Sequence, residues 1–251
     1  MSLKVCTDAL LMDLVPQSRI ASVTYLSREK AALRLWPEAA ALPVNHNTAE
    51  EVLAQKPDLI VTDTFTAPAM RALIAKSGAR VVEIAPAEDF PAIRRATRQL
   101  AAAVGETARG ENLIARMDAK LAALAKTPPQ QPIRVAGWGG GGYVPGRGTL
   151  FDAILAAAGA QNIAGGGDGF YDVEALLAAR PDILAFGDDY AGTPSLRADQ
   201  DSHPVLMKYF ANRRITYPSA LLGCGLPESA GAAAQLRALL LAAMKKPGGV
   251  P

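Results

Sequence analysis

Apolar positions in this chain alternate between two rhythms, short unbroken runs and stripes that recur three and four residues apart. The runs read as strands and the stripes as helices. In the first half the pattern predicts strands at 3–5, 20–24, 59–62 and 81–84, with helices near 8–14, 49–55 and 67–77. The second half resumes it, with strands at 133–137, 183–186 and 215–217 and helices near 150–158, 173–179 and 228–244. Such alternation predicts mostly parallel sheets covered by helices. Between the halves, residues 90–126 are helical throughout, apart from a break at Gly105-Glu106-Thr107. Residues 108–125 carry Leu113, Met117, Leu121 and Leu124 on one stripe, and would extend roughly 27 Å as a helix. Thr127-Pro128-Pro129-Gln130-Gln131-Pro132 then reads as a stiff connector.

Two segments nearly repeat one another. EEVLAQKPDLIV starts at Glu50 and EALLAARPDILA at Glu174, with Leu53/Leu177, Ala54/Ala178, Pro57/Pro181 and Asp58/Asp182 in register. A unit of helix, Pro-Asp and apolar strand in each half predicts two similar lobes and a cleft between them. The expected organisation is an N-terminal lobe over 1–88, a helical strut over 89–127 and a C-terminal lobe over 128–251. The fold class is α/β: two Rossmann-like lobes with mostly parallel central sheets, joined by one long helix.

Composition narrows the function. Half of the 251 residues are apolar and a fifth charged, and the net charge of +2 gives no footprint for nucleic acid. No apolar run approaches the roughly 20 residues needed to span a bilayer. The opening Leu3-Lys4-Val5 reads as a strand and not as a signal peptide. Two histidines, His46 and His203, exclude a multi-histidine metal site, and two cysteines, Cys6 and Cys224, permit one disulfide at most.

Gly137-Trp138-Gly139-Gly140-Gly141-Gly142 follows a strand and matches the spacing of a dinucleotide fingerprint, but no helix starts directly after it. We read it as a strand-end loop through which backbone approaches a ligand, walled by Trp138 and Tyr143. His46 stands just before the first repeat helix, either facing the cleft or bonded to backbone; His203 reads as a surface residue. No Gly-x-Ser-x-Gly elbow occurs, and no histidine is placed to activate Cys224. The carboxylate pairs Asp188-Asp189 and Glu50-Glu51 read as solvated faces. Enzyme chemistry therefore finds little support, and no catalytic or metal-binding residues are assigned. Glu50 and Glu174 occupy the same first-turn position of equivalent helices, where they offset the helix dipole and can also meet paired basic sockets on a partner.

SLKVCTDALLMDL, SVTYLSRE, PVNHNTAEEVLAQKPDLIV, the long helix and GTLFDAILAAAGAQNIA, taken in this order, resemble periplasmic solute-binding proteins of ABC importers. Specifically, they resemble the single-helix-hinge class that binds cobalamin, ferric siderophores or haem. The resemblance implies a periplasmic monomer, with the export signal absent from this sequence, that delivers its ligand to a membrane permease. It implies no resident cofactor, the metal chelate being cargo. Ligand contacts would come from Cys6, Tyr25, Arg28, His46, Thr64 and Phe65 in the first lobe. Trp138, Tyr143, Tyr190, Leu222 and Cys224 would supply those of the second. Arg28 and Arg147 would orient carboxylates or phosphate, and Glu50 and Glu174 would dock on the permease. The loop at Leu222 lacks the tryptophan of many relatives. Cys6 and Cys224 would form either a bridge between the lobes or two buried thiols. A ferric siderophore or a corrinoid is the expected cargo. The rivals are haem, with Tyr25, Tyr143, Tyr190 or His46 on the iron, and a chelatase-type enzyme.

Overall fold

Backbone hydrogen bonds of the strand segments close into separate ladders in the two halves of the chain. A computed structural model describes residues 1–28, 37–139, 141–187, 203–217 and 222–245. The chain divides into two compact units, Met1–Ala115 with Gly223–Pro227, and Arg116–Leu222 with Glu228–Pro251.

In the first unit, β1 (Val23–Thr24) runs parallel to β2 (Val44–Asn45), and β3 (Leu59–Asp63) parallel to β4 (Arg80–Ile84). The first three residues join the two ladders. Ser2 N donates to Ser22 O at 3.0 Å, and Leu3 N donates to Val61 O at 2.9 Å. The strand expected at 3–5 thus shrinks to a bridge between Ser2 and Val61. Helix α1 (Val5–Leu14) has already begun at Val5, and its Ala9, Leu10, Leu11 and Leu14 are buried. Similarly, the strand expected at 20–24 keeps only its last two residues. Ile60 and Val61 enter different core clusters, one with Leu3, Val52 and Ile74, the other with Leu10, Leu14 and Leu100. A parallel strand covered on both faces requires this continuous apolar run.

Helix α2 (Ala49–Gln55) opens on a reciprocal capping box between Thr48 and Glu51. Helix α3 (Pro68–Ala75) starts with Pro at its first position, where the missing N–H has no helical partner to lose. Helix α4 (Phe90–Ala103) is capped by Asp89 and buries Ile93, Ala96, Thr97, Leu100 and Ala101 along one stripe. Gly105, at φ 76°, turns the chain into α5 (Thr107–Lys126). At Gly110 a Cβ would lie 2.5 Å from that of Ala101, so glycine lets α5 close on α4. Helix α4 packs on β4 and α1 within the first unit, and the chain leaves that unit inside α5.

The second unit has one parallel sheet in the order β10-β9-β5-β7. Its strands are β5 (Ile133–Trp138), β7 (Ala160–Asn162), β9 (Ile183–Gly187) and β10 (Arg214–Tyr217). An antiparallel pair, β6 (Tyr143–Val144) with β8 (Gly169–Phe170), stands beside it. The helices are α6 (Leu150–Ala157), α7 (Val173–Ala179), α8 (Pro204–Tyr209) and α9 (Ser229–Met244). Buried Arg237 of α9 donates to the carbonyls of Leu124, Thr127, Ala157 and Ala158, satisfying the ends of α5 and α6.

The sequence repeat is also a structural one. Helices α2 and α7 each have seven residues, and in each the N-cap side chain accepts from the third helical amide. Each ends on a left-handed residue, Lys56 at φ 45° and Arg180 at φ 51°. Pro-Asp and a parallel strand follow in both.

Candidate functional site

In open α/β sheets the strand carboxyl ends are where loops converge on ligands. In the first unit Tyr25 follows β1, His46 follows β2, and Thr64-Phe65 follow β3. Tyr25 and His46 stack, with ring centroids 5.0 Å apart and planes 25° from parallel. Glu51 fixes the imidazole at its Nδ1 edge. Its carboxylate lies 2.9 Å from Nδ1 and accepts the His46 amide at 2.7 Å. These bonds, those from the His46 ring and amide foremost, hold the Glu51 carboxyl down at about 2. An ionised carboxylate can only accept, so Nδ1 carries the proton of this bond, which selects the neutral tautomer with its lone pair on Nε2. The His46 side chain is exposed. The result is an oriented, accessible nitrogen donor flanked by an aromatic ring, with a carboxylate behind it of the kind that tunes metal-ligating histidines.

Phe65 stands 77% exposed. The Thr64-Phe65 turn is held by Asp63, which accepts Phe65 N at 3.1 Å, and by Arg71, which donates to Thr64 O. Arg28 is spent on backbone, donating from Nε to Ala39 O at 3.3 Å and from Nη2 to Leu42 O. Its guanidinium holds the approach to β2. Cys6, in the first turn of α1, is bonded to Cys224 with a Cα–Cα distance of 5.3 Å. Cys224 does not stand in the second lobe, where its place in the sequence puts it. Gly223–Pro227 belongs to the first unit, where Leu226 is buried and a Cβ on Gly225 would lie 2.0 Å from Ala87 O. The disulfide therefore lies within one unit.

In the second unit Trp138, expected as a wall of the site, is only 2% exposed and packs with Val144, Leu176, Leu184 and Phe210. Its ring fills the core because β5 ends on an inward-facing position. Tyr143 meets Phe170 edge-on at 6.1 Å, and Phe170 is 78% exposed. Sequence reasoning missed Phe170, since the two-residue strand β8 carries too few positions to show a period. Arg147 is exposed, its backbone pinned by Gly165 and Gly167. Leu222 is half-buried, and Tyr190 lies outside the described residues. Glu50 and Glu174 are both exposed at the second position of their helices. Among the described residues, no group of three or more His, Cys, Asp or Glu is placed to hold a bare metal ion.

Parallel α/β units with aromatic and imidazole groups at the strand ends are an arrangement suited to holding a ligand. The chain belongs to the periplasmic binding protein family, whose sequence profile matches residues 39–200. No curated protein sequence matches it. Among solved structures it is similar to the periplasmic haem-binding protein RhuT from Roseiflexus sp. RS-1, at 24% identity and a TM-score of 0.81, covering 97% of this chain and 98% of that one. A periplasmic haem-binding protein from Pseudomonas aeruginosa is 25% identical, with a TM-score of 0.75 and coverage of 95% and 91%. The periplasmic vitamin B12-binding protein BtuF of Vibrio cholerae is 18% identical, with a TM-score of 0.72 and coverage of 98% and 97%. No helix among the described residues is long and apolar enough to cross a membrane.

Proposed function

We propose that this protein captures haem, or a closely related flat metal chelate, outside the cytoplasm and delivers it to the permease of an ABC importer. The observation that carries the reading is the His46–Glu51 pair. A corrinoid or ferric siderophore arrives with its metal already enclosed, whereas haem iron has axial positions open to a protein ligand. An exposed imidazole with Nδ1 anchored suits that position. Within the first unit, Tyr25 and Phe65 supply apolar surface for a macrocycle beside His46. Haem-binding proteins among the solved structures of similar fold support the choice. The chelate is cargo, and no reaction is assigned to the protein.

Titration with haemin, cobalamin and a ferric siderophore, followed by absorbance and tryptophan quenching, tests this. Haemin is expected to bind and to shift its Soret band. H46A should lose that shift and weaken haemin binding at least about tenfold. A Soret spectrum unchanged in H46A removes His46 from the iron. Binding of cobalamin or siderophore in preference to haemin overturns the haem assignment.

A further inference from the structure

Among the described residues of the first unit, Asp8 is the one ionisable side chain that burial takes fully out of water; it lies on the first turn of α1, wholly enclosed. One carboxylate oxygen, Oδ2, accepts the Thr24 amide at 2.7 Å and the Ser27 hydroxyl at 2.5 Å. The other, Oδ1, is buried as well, and the Ser2 hydroxyl lies beside the carboxyl. A serine or asparagine would satisfy the same amide at far lower desolvation cost, so a carboxylate here is not required by capping alone.

What the carboxylate holds is informative. Thr24 ends β1, and Tyr25–Arg28 is a single 3-10 turn that follows directly. That turn carries Tyr25, which stacks on His46, and Arg28, whose guanidinium grips the carbonyls of Ala39 and Leu42 just before β2. Thr24 also sits opposite Asn45, the residue before His46. Both routes from the Asp8 clasp lead to the same imidazole, which Glu51 steadies at Nδ1.

We infer that Asp8 is a positioning residue of the chelate site, its buried carboxylate holding the turn that sets Tyr25 against His46. The inference rests on the haem reading for its ligand and on the clasp geometry for everything else. A charged clasp resists rotation of the turn because its bonds are stronger than neutral ones and no water competes for them.

Three variants test it: D8N, S27A and the double variant, each first shown to be folded by circular dichroism. Wild-type protein should show nuclear Overhauser contacts between the Tyr25 and His46 rings, and these should weaken in both single variants. Haemin affinity should fall about tenfold in each single variant and by little more in the double, as expected for two ends of one clasp. The Soret position should shift in D8N, which a loss of stability alone would not cause. Ring contacts and affinity unchanged in folded D8N overturn the inference, as do losses that simply multiply in the double variant. If wild-type protein binds no haemin, the haem reading fails, and the ring contacts still decide the role of Asp8.

Discussion

Glu51 and Asp8 carry the same functional group, and their surroundings push them in opposite directions. Hydrogen bonds from His46 and Thr48 draw Glu51 down to about 2, while burial raises Asp8 to about 6 from 3.8. Below about pH 4 Asp8 is protonated in both folded and unfolded chains. Between about pH 4 and 6 the folded state retains the proton that the unfolded state releases. Stability therefore falls as pH rises through this window and is flat above it. A rise of that size corresponds to about 3 kcal/mol. Urea midpoints of wild type and D8N measured from about pH 4 to 7 should diverge across the window, with wild type losing ground as pH rises; parallel curves would remove the effect. At this scale the sequence is only partly legible. His46 and Tyr25 can be picked out because exposed imidazole and phenol groups beside strand ends are chemically conspicuous. Glu51 and Asp8 cannot, since their roles depend on a capping register and on a turn 16 residues away. Trp138 misleads because an aromatic at a strand end looks the same in sequence whether its ring turns inward or out.

The elements most legible in advance are the two repeat helices. Their caps, their left-handed last residues and the Pro-Asp that follows are all encoded within a dozen positions. Helices α2 and α7 thereby present Glu50 and Glu174 at equivalent, exposed places, and neither carboxylate is used in a hydrogen bond or ion pair among the described residues. Neighbouring Glu51, by contrast, is committed to its cap and to His46. We expect E50K/E174K to abolish chelate uptake through the importer while leaving haemin affinity of the isolated protein unchanged. A fall in affinity in step with uptake would place these carboxylates at the ligand instead. Short elements are the least legible. The strand β7 and the pair β6/β8 have two or three residues each, too few for an alternation to stand out, and pairing partners far along the chain decide them.

Over the whole molecule, connectivity is less simple than two halves and a rod. The chain passes out of the first unit in α5, returns for Gly223–Pro227, and leaves again. The Cys6–Cys224 bond closes a loop spanning 218 residues of sequence, and cross-links over long loops stabilise chiefly by restricting the unfolded chain. Replacing both cysteines by serine should cost about 2–5 kcal/mol, read as a lower melting temperature that added reductant no longer changes. Wild-type protein melting identically with and without reductant would show the bond contributes nothing. The pairing is not legible in sequence because spacing says nothing about which loop folds back onto which unit.

That return has a practical corollary for anyone dissecting the protein. A fragment cut within the long helix would keep every strand and helix of the first unit, yet it would carry an orphan thiol at Cys6. It would also leave bare the ground beside Ala87, where Gly225 nests, and the seat in the core that Leu226 fills. Such a half is expected to dimerise through its lone sulfur or to clump through its uncovered apolar floor. Supplying the missing strip as a peptide bearing its cysteine should rescue it.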